Sequence, residues 1–284
     1  MPIKKSLLAV TDLHRSAALL EALRIAVIQH KPDVVALVGD FLHGFADNAG
    51  RMTTEECALF LAKLECPEIV FVRGNHEDDA WLVFASVWKT SGRPLTTLHG
   101  EVFRSGPLTL VGFPCLMGDG QAFAEGRPEL LTDYENWLPS VIGPAGSAAR
   151  TLWLMHEPPT GTPLSQPGSV VEGNWAWAHA IYDFAPWLTI SGHDHLTPIR
   201  AKRWYCEFQN SACVNVGQTD HGPLHYCLVE AEFKGTSPSL PTRLQVTAYP
   251  WQQTISVSAG NATKIPAVTA ATRSKVLGNI EKPI

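Results

Sequence analysis

Five short stretches of the chain carry side chains that bind metal ions. Asp12 and His14 stand two apart. Asp40 follows Gly39, and Asn75 and His76 follow Gly74. His156 stands before Glu157, and His193 and His195, again two apart, follow Gly192. Carboxylate oxygen, amide oxygen and imidazole nitrogen are the donors that hard and borderline divalent ions take. A pair at i and i+2 on extended backbone points both side chains to one side. A glycine before the ligand lets the backbone turn sharply and the donor approach closely. Each stretch alone has a plainer reading: Asp-x-His arises by chance, Gly-Asp after a strand is a turn, and a single histidine is a hydrogen-bonded core residue. The ordered set is different. Two carboxylates, one amide and at least four imidazoles exceed one tetrahedral or facial site, so two ions sharing a ligand is the economical arrangement.

The elements that must position these residues are also legible. Each stretch comes at once after an apolar run, at residues 7–10, 34–38, 69–72, 152–155 and 188–190. Such runs suit strands buried on both faces. In open α/β sheets the functional residues sit just past the carboxyl ends of strands. Between the first three runs lie helix signals. Residues 16–30 place Leu20, Leu23, Ala26 and Val27 on one stripe, stopped by Lys31-Pro32. Thr53 stands three before Glu56 as a capping box, and Asp78 or Asp79 is positioned to cap a helix over 80–89. The first half therefore reads as βαβαβ. From Thr96 onward the texture is mixed. Residues 102–103 and 108–112 form a hairpin around residues 104–107, and runs at 203–208, 212–216, 225–233 and 244–248 read as strands of a β-meander. Residues 118–146 read as a long surface excursion. Trp175, Trp177 and Trp187 read as core aromatics of a helix. Residues 1–251 are expected to form one catalytic domain and 252–284 a loosely packed or disordered tail.

Composition narrows the classes. With 284 residues, 45% hydrophobic and 17% charged, the chain can bury a substantial core. Its net charge is −5, with no like-charge run beyond the acidic patch Glu77-Asp78-Asp79. A basic footprint is absent at chain level, so a long nucleic acid is not an expected partner. No run of about 18 apolar residues offers a membrane span, and the N-terminal apolar run is too short for a signal-peptide core. The six cysteines contain no Cys-x-x-Cys pair and read as reduced thiols of a cytoplasmic protein. There is no phosphate-binding Gly-x-x-x-x-Gly-Lys loop, no Gly-x-Gly-x-x-Gly and no Gly-x-Ser-x-Gly elbow. His156-Glu157 begins like a zinc-protease motif, but residue 160 is Thr.

Taken together, Asp12-x-His14, Gly39-Asp40, Gly74-Asn75-His76-Glu77, His156 and Gly192-His193-x-His195 resemble the signature blocks of the calcineurin-like metallophosphoesterase superfamily, over residues 5 to 218. Asn215-Val216-Gly217 also resembles that family's strand end after the last histidines. The resemblance implies an α/β fold, a four-layer α/β/β/α sandwich of two mixed sheets flanked by helices. It implies two divalent ions (Mn, Fe or Zn, with Mn and Fe favoured). One ion would take Asp12, His14 and His195, the other Asn75, His156 and His193, with Asp40 bridging. Two such ions about 3.5–4 Å apart polarise phosphoryl oxygens and lower the pKa of a bridging water. The hydroxide attacks phosphorus in line. His76, matched to the histidine that contacts phosphate with Asn75, protonates the leaving oxygen, an effect typically worth about 10²–10⁴-fold. Asp40 and His76 are thus the expected catalytic residues, and Asn75 and His76 the expected substrate contacts. Asp194 is read as lying behind the ligands or facing solvent.

The substrate is less constrained. Ser/Thr protein phosphatases of the superfamily extend the second block to Gly-Asp-x-x-Asp-Arg-Gly. Here it reads Gly39-Asp40-Phe41-Leu42-His43-Gly44, without that Asp and Arg. A small nucleotide-like or diester phosphorylated substrate is favoured, and His43 sits where a substrate-reading residue would lie. The alternatives are a Ser/Thr protein phosphatase-like phosphomonoesterase and a non-catalytic scaffold on the same fold. The scaffold reading expects lost ligands, and this chain keeps each one.

Overall fold

A computed structural model of the chain describes residues 2–42, 50–77, 80–113, 115, 138–140, 150–165, 173–219, 222–236 and 239–257. The elements run β1 (Ile3–Val10), α1 (Ala17–His30), β2 (Val34–Val38), α2 (Thr54–Ala62), β3 (Glu68–Val72), α3 (Ala80–Thr90), β4 (Thr96–Thr97), β5 (Val102–Ser105), β6 (Leu108–Phe113) and β7 (Leu152–Met155). They continue with α4 (Trp175–Phe184), β8 (Leu188–Ser191), α5 (Thr197–Ala201), β9 (Tyr205–Phe208), β10 (Ser211–Asn215), β11 (Tyr226–Phe233), β12 (Arg243–Tyr249) and β13 (Gln253–Ser256).

The strands form two mixed sheets. The seven-stranded sheet has the order β13-β12-β11-β1-β2-β3-β4, and the six-stranded sheet β5-β6-β7-β8-β10-β9. β1, β2, β3 and β4 pair in parallel, as do β6, β7, β8 and β10. The alternation of apolar side chains explains the layers. Leu7 and Ala9 of β1, with Val34, Ala36 and Val38 of β2, face Leu110, Leu152, Leu154, Leu188 and Ile190 across the gap between the sheets. Leu8 and Val10, with Val35 and Leu37, point the other way onto Leu20, Leu23, Val27, Ala58, Leu61 and Phe84 of α1, α2 and α3. The outer face of the six-stranded sheet buries Val111, Phe113, Trp153 and Met155 against Trp177, Ala180, Ile181 and Phe184 of α4. Strands covered on both faces carry continuous apolar runs because neither face meets water. The result is the four-layer α/β/β/α sandwich.

The helix starts follow their local chemistry. Ser16 caps α1 through Leu19 N. At α2 the Thr53 hydroxyl accepts from Glu56 N at 3.1 Å and the Glu56 carboxylate accepts from Thr53 N at 2.8 Å, the reciprocal capping box. The Asp78 and Asp79 cap expected for α3 lies outside the described residues, as do His43 and most of the 118–146 excursion.

Three expectations are corrected. The late strands are not one meander: β9 and β10 finish the six-stranded sheet, and β11 and β12 cross to the seven-stranded one, where β11 pairs antiparallel with β1. Residues 253–256, placed in the tail by their polar sequence, form β13 on the edge of β12, with Ile255 packed against the core between the sheets. Of the three tryptophans, Trp177 and Trp187 are buried while Trp175 is exposed, and Trp187 stands just before β8 rather than in a helix. All six cysteines are buried free thiols. Among the described residues no helix is long and apolar enough to cross a membrane.

Candidate metal centre

The five loops that carry the candidate ligands leave the carboxyl ends of parallel strands in both sheets. The loops after β1, β2 and β3 hold Asp12, His14, Asp40, Asn75 and His76. Those after β7 and β8 hold His156, His193 and His195. Two groups of donors result. Asp12, His14, Asp40 and His195 have ligand atoms within 4.8 Å of one another, and so do Asp40, His156 and His193. Asp40 belongs to both groups. Asn75 joins the second group: its Oδ1 lies 3.1 Å from His156 Nε2 and 3.0 Å from His193 Nδ1. The structure therefore brings together all seven candidate ligands. His76 stands at the rim, with its Nε2 3.9 Å from Asp40 Oδ2 and its main-chain N donating to Asp40 Oδ1 at 2.9 Å.

The backbone is bent to make this possible. Asp12, His14, Asp40 and His193 all have positive φ, between 45° and 62°. Non-glycine residues there cost roughly 1–3 kcal/mol each and persist only where the surroundings over-determine them. The glycines serve close approach. A Cβ on Gly192 would collide with Thr11 Oγ1 and the Asp12 carboxylate, and one on Gly74 with Asp40 Oδ1.

The electrostatics pair buried carboxylates with buried imidazoles. Burial alone would raise the Asp12 pKa, but His195 beside it holds the carboxyl down at about 2. Asp40 is likewise held well below the usual carboxylate range: burial opposes this, and His156 outweighs it. Burial also opposes charge on His156, yet Asp40 at 3.2 Å and Asp12 raise it to about 10. His195 is raised in the same way by Asp12, whose Oδ1 lies 3.2 Å from its Nε2. Burial and the charge of His156 lower His193 to about 4.

The donor set fits divalent ions. Asn75 Oδ1 faces two imidazole nitrogens, and His14 Nε2 lies 3.5 Å from His195 Nε2, a pair in which at most one nitrogen of a neutral couple can donate. Lone pairs crowded in this way are resolved by a cation between them, and oxygen and imidazole donors suit Mn, Fe or Zn.

Two residues behind the ligands take roles that their sequence positions did not announce. Glu77 is wholly buried and accepts main-chain N–H groups from Asp40, Phe41, Leu42 and Gly74. Burial and the Asp40 charge push its carboxyl up to about 7. Four N–H donors on two oxygens leave no place for a carboxyl proton, which favours the ionised form at neutral pH. Asn215 is also wholly buried. Its Nδ2 donates to Gly192 O at 3.0 Å and Asp194 O at 3.2 Å, which pins the loop of His193 and His195. Asp194 is buried and accepts from Leu196 N and Thr197 N, so it faces the start of α5 and not solvent.

Comparison with known proteins agrees with this geometry. The sequence model of the calcineurin-like phosphoesterases matches residues 5–207. No protein of curated function matches the chain in sequence. A dimetal phosphatase from Danio rerio is similar in fold, with a TM-score of 0.60 and 13% identity over 91% of this chain and 100% of that one. The protein TT1561 of Thermus thermophilus is similar with a TM-score of 0.54 and 14% identity over 90% of this chain and 100% of that one. With the family's sequence pattern spanning most of its length and a two-centred Asp/His cluster at the strand ends, the chain belongs to the calcineurin-like phosphoesterase family.

Proposed function

We propose that the protein is a dinuclear phosphoesterase that cleaves phosphoester bonds in small, nucleotide-like substrates, phosphodiesters above all. The observation that carries this reading is the membership of Asp40 in both donor groups. In it Asp12, His14 and His195 would hold one ion and Asn75, His156 and His193 the other, with Asp40 available to both. Two divalent ions bound there supply the charge that polarises phosphoryl oxygens and makes water acidic enough to act as a nucleophile near neutral pH.

The chain's own residues do the rest. Buried Asp40 keeps its negative charge and anchors His76 through the His76 main-chain N. The His76 ring is partly exposed, with 29% of the side chain accessible, so it can meet a substrate and return a proton to the leaving oxygen. Asn75 orients the imidazoles of His156 and His193. The preference for diesters rests on the block after β2. Phe41 and Leu42 are wholly buried in the helix-side core, and Gly44 stands where protein phosphatases carry the arginine that binds a phosphate dianion. A diester carries one negative charge and makes less demand for such a residue.

The test is hydrolysis of bis-p-nitrophenyl phosphate and p-nitrophenyl phosphate by EDTA-stripped protein with and without Mn²⁺. The expected result is metal-dependent turnover, faster on the diester. His76→Ala should lower kcat about 10²-fold or more on an alkyl leaving group and much less on p-nitrophenolate, which leaves without a proton. Equal loss on both leaving groups would remove His76 as proton donor. No turnover with any divalent metal on either ester would count against the enzyme reading.

A further inference from the structure

The β2 end shows how the main chain holds the two halves of the cluster at their spacing. Past Val38 and Val72 the pairing of β2 with β3 ends, and the loops that follow carry Asp40 and Asn75. On its other side the 39–41 segment still pairs: Asp12 N donates to Gly39 O at 3.0 Å, His14 N to Asp40 O at 2.8 Å and Arg15 N to Phe41 O at 2.9 Å. Its N–H groups face the side from which β3 has departed. The Glu77 carboxylate fills that place. One oxygen accepts from Phe41 N at 2.7 Å and Leu42 N at 3.1 Å; the other accepts from Asp40 N at 3.0 Å and from Gly74 N, just before Asn75. In return Asp40 Oδ1 accepts from His76 N. The two carboxylates cross, each reaching from its own loop to the main chain of the other. An amide in place of Glu77 would turn an NH₂ group onto two N–H groups.

We propose that Glu77 is a positioning residue that sets metal affinity, acting chiefly on the half formed by Asn75, His156 and His193. The inference rests on the metal-binding reading above. Glu77 fixes the offset of Asp40 from Asn75, whereas the Asp12–His14 loop is tied to the 39–41 segment by its own main-chain bonds. Loss of a group that orients ligands in this way typically costs about 10- to 100-fold in metal affinity.

The experiment has two arms. In metal-free wild type, hydrogen exchange should find the amides of Asp40, Phe41, Leu42 and Gly74 protected; free exchange at these amides would show that ions order the loops and would overturn the proposal. In the second arm, Zn²⁺ titrations of wild type and Glu77→Gln are followed by NMR of the imidazoles, with His156 and His193 reporting one half and His14 and His195 the other. The expected result is a loss of about 10- to 100-fold confined mainly to the first half. Unchanged affinity at both halves, or equal loss at both, overturns the proposal. If Glu77→Gln does not fold, Glu77→Asp, which keeps the charge and shortens the reach, is read by the same criteria. A wild type that binds no ion fails the metal-binding reading itself, an outcome separate from all of these.

Discussion

The edge of the seven-stranded sheet and the edge of the six-stranded sheet meet at one cluster, yet they hold their residues by different means. On the first, main-chain hydrogen bonds from Asp12, His14 and Arg15 onto Gly39, Asp40 and Phe41 are joined by the Glu77 carboxylate, which ties the loops after β2 and β3. On the second, Gly192 N donates to His156 O at 2.8 Å and Asp194 N to Gly192 O at 2.7 Å, and side chains from outside the loop complete the support. Asn215 pins it from behind, and the Asp12 carboxylate accepts from His193 N at 3.1 Å. The first edge contributes carboxylates, an amide and His14; the second contributes imidazoles alone. The difference teaches that the carboxylate edge supports itself, while the imidazole edge is positioned partly by the other sheet. Asp12 is therefore both a candidate ligand and a tie between sheets.

That asymmetry can be broken in order of effect. Asp40→Asn keeps the shape and removes the charge shared by both halves, so kcat/KM on bis-p-nitrophenyl phosphate should fall about 10³-fold or more, the scale of losing a principal charge-stabilising group. Asn215→Ala should act on one edge only. It should weaken both ions, one through His193 and the other through His195, by about 10- to 100-fold in a metal titration. It also strands buried carbonyls, so thermal melting should register a loss of about 1–3 kcal/mol. The smallest effect, taken per pH unit, is that of pH. His156, raised to about 10, carries a proton that a bound ion must displace, and His195 is raised in the same direction. Metal affinity should therefore rise with pH between roughly 6 and 9, about tenfold per unit for each proton released. His193, lowered to about 4, has no proton to give over that range. An affinity flat in pH would contradict the charge assignment.

The candidate ligands were legible because each stands directly behind an apolar run, and parallel strands buried on both faces deliver their carboxyl ends to one edge. Sheet membership was not. The alternation that marks β9 to β12 as strands carries no address, and the chain passes from one sheet to the other between Asn215 and Tyr226. Glu77 was hidden for another reason. Beside Asp78 and Asp79 it reads as part of an acidic patch, yet it is wholly buried, because it accepts main-chain N–H groups of the loop after β2, a partner distant in sequence. Trp175 was legible and misread: two residues apart on a helix are about 200° apart around its axis, so Trp175 and Trp177 cannot both face the core. Thr53 and Glu56, by contrast, needed only local chemistry and form the expected box.

The most direct test of the central claim is a count of ions. Metal-stripped protein reloaded with Mn²⁺, freed of excess metal and measured by elemental analysis should hold two ions per chain, with fewer in Asp40→Asn. One ion or none in the wild type would contradict a dinuclear centre built around Asp40.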